Sequence, residues 1–157
     1  MTVEEKMEAL GATPLFTDFT DTGKRIFASV AQEKRIPAGA PLFAENMVGE
    51  SLFVVVSGGV RLSQKRPEGG EREAGQVGAG EVLGELAVLS PTVRLVSAVA
   101  AAETVVLEIG QRDFLALAPQ KPQACLKLAT AIAAVLARRL GESRDLLRET
   151  LARTAAP

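Results

Sequence analysis

Glycine is concentrated in one stretch of this chain and divides it into short segments. Ten of the fourteen glycines fall between residues 39 and 84. The segments between them, such as 52–56 and 60–62, are short and apolar or β-branched. Short strands separated by turn residues at even spacing are typical of an all-β sandwich, roll or barrel. Two further strand-like runs, 95–100 and 104–109, extend this pattern, so the middle of the chain is predicted to be mainly β.

Helical periodicity marks the two ends of the chain instead. Apolar residues within 26–30 recur at the spacing of one helix face, which predicts a helix over 21–31 capped by Thr20 or Asp21. After the β region, 113–118 is predicted to form a short helix that Pro119 ends.

A long C-terminal helix is predicted after Pro122, a residue that suits the first turn of a helix. From Gln123 to about Leu151 the only glycine is Gly141. Such a helix extends beyond a small domain, so its outer half must either fold back on its own β structure or form a two-helix dimer seam. The dimer is the favoured prediction. The apolar stripe that supports it consists of Leu128, Ile132, Val135, Leu136, Leu140, Leu147 and Leu151.

The composition excludes several classes of function. There is no histidine, which removes Ser-His-Asp and Cys-His catalysis and metal sites that need imidazole. Cys125 is the only cysteine, so neither an internal disulfide nor a thiolate cluster can form. The net charge is −1, which gives no positive field for direct binding of nucleic acid or an anionic membrane. A polar N-terminus and a single thiol predict a cytoplasmic protein. With no histidine and one cysteine, no bound metal is expected, and no resident cofactor is expected either.

The segment 80–99 carries the chemistry. Arg94 is the only basic residue between residues 73 and 111, and its neighbours are apolar. Gly84 leads into a possible helical turn that begins at Glu85, so backbone N–H groups there would favour an anion. The forked guanidinium of Arg94 suits phosphate, and the Glu85 carboxylate suits a sugar hydroxyl. These residues predict a sugar-phosphate pocket, with an ion pair between Glu85 and Arg94 that only orders a loop as the alternative.

Taken together, these pieces resemble the cyclic nucleotide-binding domain family, whose members include cyclic-AMP receptor proteins and kinase regulatory subunits. The matching segments are Pro-Ala-Gly at 37–39, Gly-Glu-Ser-Leu-Phe-Val-Val-Val-Ser-Gly at 49–58, and Gly-Glu-Val-Leu-Gly-Glu-Leu-Ala-Val-Leu at 80–89, followed by Arg94. The nine-residue step from Glu85 to Arg94 is typical of the family's phosphate-binding cassette.

The resemblance implies a role for each site residue. Glu85 would bind the ribose 2′-hydroxyl, Arg94 the cyclic phosphate, and backbone N–H groups near Leu86 and Ala87 the same phosphate. Ser143 and the residue after it fall where the family places contacts to the base. The expected ligand is cyclic AMP or cyclic GMP. The expected site residues are therefore Gly84, Glu85, Leu86, Ala87, Arg94, Leu95 and Ser143.

The cassette departs from the family pattern next to the arginine. The family usually has a small or hydroxylated residue and then alanine there, and this chain has Leu95 and Val96. The Leu95 backbone amide can still donate to a phosphate, but the side chain offers no hydroxyl. Neither a helix-turn-helix module nor a catalytic module follows the long helix before Pro157. The output is therefore expected to pass through a dimer, an unidentified protein partner or a longer parent chain.

The sequence thus predicts one mainly-β domain over 1–157, a double-stranded β-helix (a jelly-roll-like β-roll) with flanking α-helices. Its parts are N-terminal helices over 1–35, the roll over 36–110 with the cassette at 80–97, and C-terminal helices over 111–152. The predicted function is that of a non-enzymatic sensor of a cyclic nucleotide, with cyclic AMP favoured. The alternative is a degenerate member of the fold that acts as a structural or protein-interaction module. A cupin-like enzyme is set aside because such sites normally use histidine ligands.

Overall fold

Two helices open the chain in the computed structural model, which describes residues 1–155. Helix α1 spans Val3–Gly11 and begins at a capping box built on Thr2. Helix α2 spans Asp21–Val30, and the Thr20 hydroxyl caps it by accepting a backbone hydrogen bond at 3.1 Å. The helix predicted at this place is confirmed, with Thr20 as its N-cap.

Antiparallel strands form the middle of the chain and pack as a roll. One four-stranded sheet has the order β1-β10-β4-β7, a second has the order β2-β9-β5-β6, and β3 pairs with β8. The fold class predicted from the sequence is confirmed. The strands are β1 Gln32–Ile36, β2 Pro41–Phe43, β3 Val48–Gly49, β4 Ser51–Ser57, β5 Gly59–Lys65, β6 Glu71–Gly78, β7 Val82–Leu83, β8 Thr92–Val93, β9 Ser97–Ala100 and β10 Thr104–Gly110.

The roll begins earlier than the sequence predicts. Strand β1 pairs with β10 from Gln32 onward, so four residues placed in the N-terminal helical segment belong to the sheet. Its sequence, Gln-Glu-Lys-Arg-Ile, is mostly polar because β1 is an edge strand with little burial. An edge strand of this kind carries no apolar alternation by which it could be recognised.

Strand β4 is buried on both faces and joins two apolar cores. Leu52 and Val54 point into a core shared with the helices, while Phe53 and Val55 point between the two sheets. Alternation of side chains along a strand produces this division. The run of consecutive apolar residues therefore reflects a strand covered on both sides, and it fixes the roll against the helices.

Three helices follow the roll. Helix α3 spans Gln111–Leu117, after which α4 runs through Pro122–Glu142 and α5 through Arg144–Ala155. The single helix predicted from Gln123 to about Leu151 is wrong, because the chain breaks at Ser143, whose φ of −94° and ψ of 16° are not helical. Gly141 lies two residues before the break, and glycine and serine are weaker helix formers than the surrounding leucine, alanine and arginine.

The apolar stripe of the C-terminal helices divides at the same region. Leu128 and Ile132 are fully buried in the core that α1, α2 and β4 share. Leu140, Leu147 and Leu151 are exposed, and α5 has no buried residue. Val135 and Leu136 are partly buried against the same core, so α4 packs on its own domain as far as Leu136, whereas the end of α4 from Leu140 and all of α5 are exposed. No helix within 1–155 is both long enough and apolar enough to cross a membrane.

Candidate functional site

A cavity of about 330 Å³ opens between the second sheet and the segment that joins β7 to β9. Sites for small molecules commonly enclose about 300–1,000 Å³, so this volume is at the small end of that range. The lining is mainly apolar, with a few convergent polar groups. The residues around the cavity are Phe43, Leu62, Val77, Val82, Leu83, Gly84, Glu85, Leu86, Ala87, Thr92, Val93, Arg94, Leu95, Val96 and Arg139.

The 3₁₀ turn Glu85–Val88 forms one wall of this cavity. Gly84 precedes it with φ 68° and ψ 28°, a left-handed conformation that glycine adopts without strain. This backbone turns the chain sharply and directs Glu85 inward, where the side chain is buried. The Ala87 amide already donates to the Gly84 carbonyl at 3.0 Å, so it is engaged within the turn.

Arg94 lies in a narrow slot beside the turn and is only 7% exposed. Glycine forms two sides of the slot: a Cβ at Gly49 would lie 2.1 Å from the Arg94 Nε, and one at Gly84 would lie 2.1 Å from Nη1. Both distances are far below a van der Waals contact. The slot therefore exists only because neither position carries a side chain.

Few groups satisfy the Arg94 guanidinium inside the slot. Its Nη2 donates to the Ser51 carbonyl at 2.8 Å, and its Nε is buried without a hydrogen-bond partner among the described residues. Its Cζ lies 4.3 Å from the centroid of the Phe43 ring and 5.8 Å from that of Phe53. Within residues 1–155 no carboxylate forms an ion pair with it. Burial lowers the pKa of the Arg94 guanidinium, while Glu108 and Glu85 at longer range oppose that shift.

Glu85 pairs with a residue other than Arg94. Its Oε1 accepts a hydrogen bond from Nη1 of Arg139, which α4 brings to the mouth of the cavity. The alternative of a loop-ordering ion pair between Glu85 and Arg94 is therefore wrong. The sequence prediction did not include Arg139, although the Arg138-Arg139 pair on the predicted C-terminal helix was a signal that could have drawn attention to it.

Leu95 and Val96 line the cavity without filling it. The Leu95 side chain is 75% exposed, because it points outward at the rim. Its carbonyl accepts a hydrogen bond from the Gln64 side chain at 3.1 Å. Leu95 therefore offers no side-chain donor at the rim, and its outward orientation leaves the cavity open.

The structure brings six of the seven expected site residues together. Gly84, Glu85, Leu86, Ala87, Arg94 and Leu95 all line the cavity. Ser143 does not: it is exposed at the junction of α4 and α5, and the residue that α4 places at the cavity is Arg139. A contact between Ser143 and a bound base stays a prediction.

The geometry defines the class of site as a mainly apolar cavity with a buried guanidinium in its wall, set in an antiparallel β-roll. Comparison with known proteins then gives the family, because the model of the cyclic nucleotide-binding domain matches residues 33–121. The chain belongs to the cyclic nucleotide-binding domain family.

Similar proteins place this domain in different settings. A cyclic AMP receptor protein of Thermus thermophilus is 36% identical over 83% of this chain and 59% of its own length. The N-terminal domain of a transcriptional regulator from Streptomyces coelicolor superposes with a TM-score of 0.75 at 30% identity, covering 88% of this chain and 94% of that one. A lysophospholipase of Chaetomium globosum is 31% identical over 63% of this chain but only 6% of its own length. The chain thus spans about three fifths of the Thermus receptor and a small part of the lysophospholipase.

Proposed function

We propose that this chain is a regulatory domain that binds a cyclic nucleotide, with cyclic AMP as the expected ligand, and that it performs no catalytic step itself. The observation that carries the proposal is the buried Arg94 guanidinium, which faces the cavity and has no paired carboxylate within the described residues. A buried charge without a counter-ion is costly. A cyclic phosphate that enters the cavity supplies one negative charge and oxygens that accept charge-assisted hydrogen bonds.

The sugar end of the ligand has a separate partner in Glu85. Arg139 occupies one carboxylate oxygen, Oε1, which leaves Oε2 to accept a hydrogen bond from a ribose 2′-hydroxyl. The apolar residues of the lining suit the flat faces of a nucleobase. The relative from Thermus is named for cyclic AMP, which supports this nucleotide as the expected ligand.

The C-terminal helices are the proposed route for the signal. Arg139 links the ribose-binding carboxylate directly to α4, so a ligand that reorganises Glu85 changes a contact of that helix. We expect the signal to pass through a homodimer formed by the exposed end of α4, from Leu140, and by α5, and through an unidentified protein partner. The buried single cysteine and the small net charge support a cytoplasmic setting and no direct contact with nucleic acid or a membrane.

A degenerate, non-binding module is the second candidate. The observation that favours it is Leu95, which stands where the family usually has a small or hydroxylated residue. A backbone amide can replace one such donor, whereas a module that binds no anion would leave Arg94 without a negatively charged partner among the described residues. Ligand binding is therefore the better supported function.

Titration calorimetry tests the ligand directly. The protein is expected to bind cyclic AMP or cyclic GMP with a Kd of about 1 μM or tighter, or about −8 kcal/mol. The matched control is 5′-AMP, because its open, doubly charged phosphate lacks the ring that the cavity should enclose. 2′-Deoxy-cyclic AMP should bind more weakly than cyclic AMP, since it lacks the group that Glu85 accepts. Absence of heat and of a thermal shift with millimolar cyclic nucleotide would establish the degenerate module instead.

Analytical ultracentrifugation tests the dimer. Because Leu140, Leu147 and Leu151 are exposed and belong to the apolar stripe, the protein is expected to sediment at twice its 16.5 kDa mass. Leu147→Lys with Leu151→Lys should return it to a folded monomer, since neither side chain is buried in its own domain. Leu126→Lys, an exposed position on the first half of α4, is the control that should stay dimeric. A 16.5 kDa species at all concentrations would rule the dimer out.

A further inference from the structure

We propose that Phe43 is a positioning residue for the anion site, and that its ring face holds the Arg94 guanidinium in the slot with Nη1 toward the cavity. This inference rests on the proposed function, because the arginine is placed there to receive a phosphate. Phe43 is not part of the cassette at 80–97; it ends strand β2 in the second sheet. The fold therefore brings a residue distant in sequence against the group that binds the ligand.

The ring takes the place of a counter-ion. The Arg94 Cζ lies 4.3 Å from the Phe43 centroid, well within the range of about 6 Å at which a cation over an aromatic face is attracted. No carboxylate pairs with this buried charge within residues 1–155, so the negative face of the ring is one of the few groups that stabilise it. The attraction is strongest where the cation is shielded from water, as it is here.

Shape supports the same role. A guanidinium is planar, and the slot confines it between the backbones of Gly49 and Gly84 and the ring of Phe43. Its Nη2 is committed to the Ser51 carbonyl and its Nε is buried, so the Nη1 edge is the one left for a ligand. If the ring were removed, the side chain would gain freedom to tilt in the slot, and an ordering cost would then oppose ligand binding.

A purely structural role for Phe43 makes a different prediction. Phe43 also packs against the core between the sheets, and its ring lies 6.0 Å from that of Phe53. If this packing were its whole purpose, replacing Phe43 would lower stability regardless of the residue at position 94. The two roles are therefore separated by varying both positions together.

The experiment combines Phe43→Leu, which keeps an apolar side chain but removes the ring face, with Phe43→Tyr, which keeps the face. Phe43→Leu is expected to weaken cyclic AMP binding about tenfold, or about 1.4 kcal/mol, and Phe43→Tyr is expected to restore binding to within about threefold of the parent. In ligand-free protein, Phe43→Leu should lower the melting temperature by about 2–4 °C more when residue 94 is arginine than in the Arg94→Met background.

Each outcome decides a separate question. An equal loss of stability in both backgrounds, or unchanged affinity in Phe43→Leu, overturns the positioning role. If Phe43→Leu lowers the melting temperature more with arginine at 94 than with methionine, but the protein binds neither cyclic AMP nor cyclic GMP, Phe43 positions Arg94 and the proposed function is overturned. If the melting temperature falls more with arginine, and Phe43→Leu weakens binding while Phe43→Tyr does not, both the positioning role and the proposed function are supported.

Discussion

Replacing Arg94 with methionine is expected to weaken cyclic nucleotide binding by about a hundredfold or more. Each charge-assisted hydrogen bond contributes about 1.5–3 kcal/mol. The Nη1 group has two N–H donors, and losing both hydrogen bonds to a phosphate removes at least about 3 kcal/mol, which is about two decades of affinity. Methionine keeps an unbranched apolar stem for the slot. Titration calorimetry with cyclic AMP measures the change.

The same substitution is not expected to lower thermal stability, although it weakens binding. Arg94 is buried without a paired carboxylate within the described residues, so replacing it with an apolar side chain removes a desolvated charge. The ligand-free Arg94→Met protein is expected to melt at the same temperature as the parent or higher. Arg112→Met changes an exposed arginine on α3 and should alter neither property. A lower melting temperature with unchanged affinity would show that Arg94 is structural.

The elements that the sequence predicts well are those whose signal is local. Helix α2 follows from an apolar face and an N-cap within ten residues, and the strands follow from short apolar runs between glycines. The cassette from Gly84 to Arg94 is likewise continuous in the chain. Each of these features depends on neighbours that lie close together in sequence, so one sequence is sufficient to find them.

The features that the sequence missed depend on contacts across the fold. Arg139 is 54 residues from Glu85, and no periodicity or motif relates the two positions. Phe43 looks like an ordinary strand residue until the roll places it over Arg94. The break at Ser143 was missed for a different reason: helical periodicity continues past it, but α5 has no buried residue whose packing would keep one helix continuous.

Gly49 has a role in the structure that its position between strand-like segments does not reveal. As a sequence feature it is one of the glycines that separate strands. In the structure it lies within β3, paired with Thr92 of β8, and its φ is not in the left-handed region. Its lack of a side chain matters for another reason, because the Arg94 guanidinium occupies the space of the missing Cβ.

Gly49→Ala is therefore expected to weaken cyclic nucleotide binding about as much as Arg94→Met, by about a hundredfold. The added Cβ would lie 2.1 Å from the Arg94 Nε and 2.2 Å from its Cζ, so the guanidinium must leave the slot. The backbone itself tolerates alanine because φ at residue 49 is not positive. Calorimetry on the single variants and on the double variant with Arg94→Met provides the measurement.

The double variant makes this prediction specific to the slot. If alanine at 49 acts only by displacing Arg94, then Gly49→Ala should cost no further affinity once Arg94 is methionine, because the two changes remove the same interaction. Gly59→Ala is the matched control: Gly59 is also a strand residue, and its added Cβ would make only an ordinary contact at 3.6 Å with the Val77 carbonyl. Gly59→Ala should bind as the parent does. If Gly49→Ala binds as tightly as the parent, binding of the anion does not require Arg94 in its slot. If the losses of affinity add in the double variant, Gly49 affects ligand binding by a route other than Arg94.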